Sequence, residues 1–198
     1  MMAQAFSKWE TESVNVEDAG LRGYLTTDAK FVPKTGARYG SHRFHKSKVF
    51  IVERLINKIM VSGHKSKKHF RSSGHFSGKA PKAYSMVEDA LQQVENRTKQ
   101  NPIAVLVKAI ENAAPREEIV SIEQGGVRYP KAVDCAPQRR IDLVLRYVVQ
   151  GALDKSFNKK KSMSSAIAEE ILNAYNSDAK SMAVSKKQEI ERQADSSR

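Results

Sequence analysis

The sequence holds a single cysteine, Cys135, in 198 residues. One thiol excludes an internal disulfide and any zinc site built on several cysteines. No run approaches the roughly 18 uninterrupted apolar residues that a membrane span requires, so no membrane partner is expected. Residues 1–10 contain no apolar stretch of signal-peptide length, and a cytoplasmic location is expected. Phosphate-loop spacing is missing, and Gly125-Gly126-Val127-Arg128 does not have the spacing of a dinucleotide fingerprint. Glu117-Glu118 and Glu169-Glu170 are adjacent pairs, which point to different sides of an element and make no acid/base couple. Cys135 has no base beside it in sequence and is expected to be a packing residue. With no catalytic constellation, neither an enzyme activity, a cofactor nor a small-molecule substrate is expected.

Acidic residues are scarce in one place. Residues 31–82 hold thirteen Lys and Arg against one acid, Glu53, whereas 1–30 are slightly acidic and 83–198 nearly balanced. About a quarter of the chain therefore carries the whole formal charge of +12. A charge run is most often a solvated face. This one is long, nearly free of acids and rich in Gly and Ser, which points to a phosphate-bearing partner. All five histidines fall there too. His64, His69 and His75 are five and six residues apart without acidic companions, and His42 and His45 sit in a basic setting. No metal site is expected of them; hydrogen bonding or partial charge at a nucleic acid is.

What is present in quantity is helical periodicity. The first 45 residues contain Gly20, Gly23, Pro33, Gly36 and Gly40 with no sustained period, and are read as an extended arm. Within it Arg38, His42, Arg43, His45, Lys46 and Lys48 alternate with Tyr39 and Phe44, which either stack on unpaired bases or pin the arm to the core. From Val49 a helical stripe runs through Val52, Leu55, Ile56, Ile59 and Met60, with Gly63 as C-cap. A basic loop at 64–79 follows. Pro81 suits the first turn of a second helix, with Ala83, Met86, Val87, Ala90, Leu91 and Val94 on one face. Asn101-Pro102 reads as N-cap and N1 of a third, which Pro115 ends. The β-branched segments 117–122 and 127–135, separated by Gly125-Gly126, give a hairpin signal, with a three- or four-residue loop expected. Pro137 restarts helix in the most apolar stripe of the chain, expected to be the central helix. A fifth helix carries Met163, Ile167, Ile171 and Ala174, and Ser185-Lys186-Lys187-Gln188 resembles the capping box of a last one.

The fold class is thus mainly α: a single bundle of about six helices with one protruding β-hairpin and an extended basic N-terminal arm. The arm is residues 1–47, and the helical domain 48–198 with the hairpin at about 117–135. A lone hairpin is marginal unless it docks on something, so a partner is expected to support it.

Several stretches together resemble one family. They are Val52-Glu53-Arg54-Leu55-Ile56-Asn57-Lys58-Ile59-Met60, Asn101-Pro102, Gly125-Gly126-Val127-Arg128-Tyr129-Pro130-Lys131-Ala132-Val133-Asp134, Pro137-Gln138-Arg139-Arg140, Lys186-Lys187-Gln188-Glu189-Ile190-Glu191-Arg192 and Ser197-Arg198. From about Phe31 to Arg198 the chain is similar to the universal ribosomal small-subunit protein seven family (protein five in eukaryotic naming), of the archaeal and eukaryotic type. The resemblance implies a structural protein of the cytoplasmic ribosome. It would bind the 3′ major (head) domain of small-subunit rRNA, help nucleate head assembly and lie near the mRNA exit and exit-site tRNA. Implied partners are that rRNA, neighbouring head and platform ribosomal proteins, mRNA and exit-site tRNA. Expected rRNA contacts are Arg38, His42, Arg43, Lys46, Lys48, Lys65, Lys67, Lys68 and Arg71, with Arg139 and Arg140 as a second patch. Gly125, Gly126, Arg128 and Arg198 are expected near mRNA or tRNA. The alternative is a basic DNA-binding architectural or regulatory protein with a helix-turn-helix core.

Overall fold

The computed structural model describes residues 4–36, 38–63 and 78–198. Among these residues are a one-turn helix α1 (Ala19–Arg22) and six longer helices: α2 (Ile51–Ile59), α3 (Ala80–Thr98), α4 (Pro102–Ala113), α5 (Pro137–Ser156), α6 (Met163–Tyr175) and α7 (Met182–Asp195). Between α4 and α5 stands an antiparallel hairpin, β1 (Glu117–Gln124) and β2 (Val127–Asp134). The bundle of about six helices with one hairpin is the observed architecture.

The helical stripes bury as their spacing dictates. Ala83, Val87, Ala90, Leu91 and Val94 of α3 are buried, as are Ile141, Val144, Leu145, Val148 and Val149 of α5. Asn101 caps α4, its Oδ1 accepting from the Ile103 N–H at 3.0 Å, and Pro102 follows where a missing N–H costs nothing. Ser162 caps α6 in the same way, through the Ser165 N–H at 3.2 Å. The centre is shared. α6 packs against α3, α4, α5 and α7, while α5 reaches α1, α2, α4, α6 and α7.

Four features depart from the sequence reading. α2 ends at Ile59, with Met60 as C-cap, because the Val61 and Ser62 N–H groups bond the Lys58 and Ile59 carbonyls in tight turns; Gly63 lies beyond. The hairpin turn has two residues, not three or four. Gly125 (φ +61°) and Gly126 (φ +80°) both take positive φ, which lets a two-residue turn match the strand twist and extends β1 to Gln124 opposite Val127. α7 begins at Met182 rather than at the Ser185 box, because a residue remote in sequence caps it. Buried Glu170 of α6 accepts from the Met182 N–H and the Ser181 hydroxyl, both at 3.1 Å. Lastly, the N-terminal segment is mostly irregular backbone as expected, but its apolar residues Trp9, Val14, Leu21 and Leu25 join the bundle's core. Glu111 of α4 holds it by accepting the Glu17 and Asp18 N–H groups at 2.7 and 3.0 Å.

The hairpin's support comes from within the chain rather than from a partner, and at its base only. α7 packs against both strands near 117–119 and 132–134, while residues 120–131 are exposed.

Where α5, α6 and α7 meet, Gly151 leaves no room for a methyl group. A Cβ there would stand 2.8 Å from the Met182 Cβ and 2.9 Å from the Glu170 carboxyl carbon. Gly151→Ala is therefore expected to destabilise the chain by about 1–3 kcal/mol through overpacking, despite the better helix propensity of Ala. Urea denaturation measures it, and a stabilised variant would contradict this close packing.

Candidate nucleic-acid interface

Within residues 38–48 the basic segment forms two short 3-10 turns, Arg38–Ser41 and His45–Lys48, and Lys46 ties the second to α5. Arg38, His42, Arg43 and Lys48 are exposed, and among the described residues Arg38, Arg43 and Lys48 meet no carboxylate. The His42 and His45 rings meet in a tilted contact, centroids 4.6 Å apart. Phe44 is 66% exposed at positive φ, so its ring is free to stack on a base, whereas Tyr39 is half-buried as a wall of a cleft.

One carboxylate organises the rest. Asp142 of α5 lies 2.8 Å from the Lys46 ammonium and 3.1 Å from the buried Arg54 guanidinium of α2. Arg54 also donates to the Tyr24 carbonyl at 3.1 Å, which ties the N-terminal segment in. Lys58 and Arg146 converge on the same place. Burial, then the Arg146 charge and more weakly Lys46, push the Lys58 ammonium below the usual lysine range, and Asp142 only partly opposes this. Lys46 and Arg54 thus share one carboxylate, and the Lys58 and Arg146 charges stand close enough to repel each other beside it. Such a cluster is self-repelling until an anion arrives, and a phosphate is the anion that nucleic acid supplies.

Sequence reading missed Lys58 and Arg146. The signal was faint: Arg54 and Lys58 are one helical turn apart on α2, as are Asp142 and Arg146 on α5, but nothing in the sequence says that the two helices meet there.

The other expected contacts divide. Lys65, Lys67, Lys68 and Arg71 lie outside the described residues, as do His64, His69 and His75. Arg139 and Arg140 are engaged within the protein. Arg139 pairs with Glu118 at 2.7 Å. Arg140, 8% exposed, donates to the Pro115 carbonyl at 3.0 Å and to Asp18 at 2.8 Å, joining α5, the hairpin root and the cap of α1. Burial pushes the Asp18 carboxyl up, but the Arg140 hydrogen bond, the Gly20 N–H and the Arg140 charge more than offset this and hold it below its ordinary value. Gly125, Gly126 and Arg128 form the hairpin tip, where Arg128 pairs with Glu123 at 3.4 Å. Arg198 is not with them. It pairs with Glu117 at 2.6 Å at the hairpin root, roughly 23 Å away along an eight-residue strand.

Among the described residues no His, Cys, Asp and Glu side chains cluster to hold a metal, and no helix is long and apolar enough to cross a membrane. Cys135 is buried; desolvation, then the Glu118 charge, push its thiol up to about 11, which makes it a packing residue.

Comparison with known proteins gives this arrangement a context. Residues 21–198 match the family model described as ribosomal protein S7p/S5e. The chain is 51% identical over 198 residues to the small ribosomal subunit protein uS7 of Nanoarchaeum equitans, covering the whole of both chains. It is 50% identical over 194 residues to that of Methanosphaera stadtmanae, covering 98% of each, and 43% identical over 193 residues to that of Archaeoglobus fulgidus. The chain belongs to the ribosomal protein S7p/S5e family. These relatives are archaeal, and the chain is of the archaeal type within the S7p/S5e family. That family is one of structural ribosomal proteins and not of enzymes.

Two substitutions separate binding from architecture. Lys58→Met is expected to raise the melting temperature of the free chain, by relieving like-charge repulsion, and to lower the log–log salt slope of RNA binding by about 0.7–0.9. Arg140→Met is expected to cost on the order of 2 kcal/mol of stability and leave that slope unchanged. Because the folded Asp18 pKa is depressed, its contribution holds above the unfolded value of about 3.9 and fades as pH falls through the folded one. Acid unfolding should accordingly be less steep in Arg140→Met than in the wild type. A salt slope that fell with Arg140 and not with Lys58 would reverse the two roles.

Proposed function

We propose that this chain is an rRNA-binding structural constituent of the small ribosomal subunit in the cytoplasm. The observation that carries the reading is the cation cluster on α2, α5 and the 45–48 turn, with Arg38, Arg43 and Lys48 exposed beside it. A folded helical core holds these groups in fixed positions, which suits folded RNA, recognised chiefly by shape, phosphates and 2′-hydroxyls. The relatives' name, small ribosomal subunit protein uS7, points to the same partner.

The finer reading is that the RNA is the 3′ major (head) domain of the small-subunit rRNA. The chain helps nucleate assembly of the head beside neighbouring head and platform proteins. The docked hairpin root and bare tip support a division of labour. The root belongs to the assembly-competent fold, and the slim tip, with Gly125, Gly126 and Arg128, reaches toward mRNA and exit-site tRNA. Lys65, Lys67, Lys68 and Arg71, from the same basic stretch of sequence, are further phosphate contacts in this reading. Family membership favours this reading over the basic DNA-binding alternative.

Replacing Arg38, Arg43 and Lys48 together by Ala is expected to flatten the salt dependence of rRNA affinity by about two to three slope units. An unchanged slope removes this face from the interface. Deleting residues 124–128 and closing the strands with a short turn is expected to leave subunit incorporation, measured by gradient sedimentation, nearly intact. Frameshifting in a dual reporter should rise instead. If the trimmed protein fails to enter subunits, the tip is an assembly element.

A further inference from the structure

Between the arm and helices α2 and α3 lies an apolar cleft of about 610 Å³, walled by Phe31, Val32, Tyr39, Ile56 and Tyr84. Phe31 and Val32 are 75% and 71% exposed, an unusual pair of adjacent apolar side chains at a surface. A carboxylate also lines the cleft. Glu53 is 1% exposed and is the only acid within residues 31–82. Its Oε1 accepts twice from Thr35, from the N–H at 2.8 Å and the hydroxyl at 2.7 Å. Its Oε2 is buried and, among the described residues, has no hydrogen-bond partner. A buried acceptor left open is costly unless a donor reaches it. Lys34 lines the cleft and Arg38 and Arg43 follow it in the arm, so the surroundings repel a basic peptide and attract a phosphodiester.

Flat apolar and aromatic walls, a cationic surround and one open anionic acceptor are together the chemistry of a nucleobase receptor. We propose that this cleft takes one unpaired RNA base, stacked against the aromatic walls, whose amine donates to Glu53 Oε2. Guanine, adenine and cytosine carry such an amine. Uracil has no amine; its one ring donor, N3–H, is flanked by two carbonyl oxygens that the carboxylate repels. The site thereby adds base selection to a surface that otherwise grips phosphates. It rests on the reading of this chain as an RNA binder.

Fluorescence anisotropy of the full chain with four seven-nucleotide RNAs, alike except for the central base, tests this. The wild type is expected to bind central G, A or C about tenfold more tightly than central U. In Glu53→Gln the amide oxygen retains the two Thr35 hydrogen bonds, so the amide NH2 faces the cleft and donates. The discrimination against U should therefore disappear, since every base offers this amide an acceptor. A second readout needs no variant: 2-aminopurine at the central position should be quenched on binding to the wild type, and at a flanking position should not. Equal affinity for the four RNAs with the salt dependence retained overturns the base site and leaves the RNA reading standing. Failure to bind any RNA overturns both. An unaltered order in Glu53→Gln, absent 2-aminopurine quenching, or binding of N-acetylarginine amide with no base preference also overturns the proposal, the last by making the cleft a receptor for a partner protein's cation.

Discussion

The buried carboxylate of Glu170 is the contact on which the second half of the molecule depends. It has no exposure to solvent, it caps α7 through the Met182 N–H and the Ser181 hydroxyl, and the Lys155 ammonium of α5 stands 2.8 Å from its other oxygen. A buried charge is tolerable only when it is paired and hydrogen-bonded, so α5, α6 and α7 are obliged to meet at this point. Gly151 makes the meeting sterically possible. α7, fixed in this way, supports the hairpin root. Glu191 accepts the Arg116 N–H at 2.9 Å, and Lys187 donates to the Asn112 carbonyl at 2.8 Å. Two strands that would be marginal in isolation are stable because one helix is held where they can lean on it.

The first half is organised around Asp142 in the opposite spirit. Glu170 has one lysine for its charge and two hydrogen bonds at one oxygen, whereas Asp142 is outnumbered by the cations around it. Free of a partner, the protein retains electrostatic repulsion at this face, and binding of phosphates relieves it. The same fold therefore separates two uses of charge. Arg140 and Glu170 are closed within the protein and secure its architecture, while Lys46, Lys58 and Arg146 leave positive potential open to a polyanion. Arg139 and Arg140 belong to the first use, although at the start of a helix, where cations oppose the dipole, they read as the second.

Elements governed by residues near one another in sequence were legible. Asn101-Pro102 opens α4 because cap and first turn are local chemistry, and the apolar stripes of α3, α5 and α6 bury because the helical period alone decides which side chains share a face. The Gly-Gly turn was located correctly, but its length was not. Choosing two residues over three or four rests on φ at both glycines and on the register they allow. α7 was placed too late for a different reason: its cap comes from α6, eleven residues before Ser181, and no local motif marks it.

The concentration of charge in 31–82, the absence of catalytic or metal-binding patterns, and the alternation of helices with one hairpin are properties of the chain itself. They follow from composition and period, which no packing can alter. Which cations are free and which are engaged inside the protein was decided by tertiary structure alone. An arginine reads the same in sequence whether it meets Asp18 and Pro115, as Arg140 does, or is exposed with no carboxylate among the described residues, as Arg43 is. The convergence of Lys58 with Arg146, and the open oxygen of Glu53 in an apolar cleft, likewise exist only once α2, α3, α5 and the arm are brought together. Electrostatic and hydrogen-bonding partners are set by distance in space, and sequence separation carries almost no information about that distance beyond a helical turn.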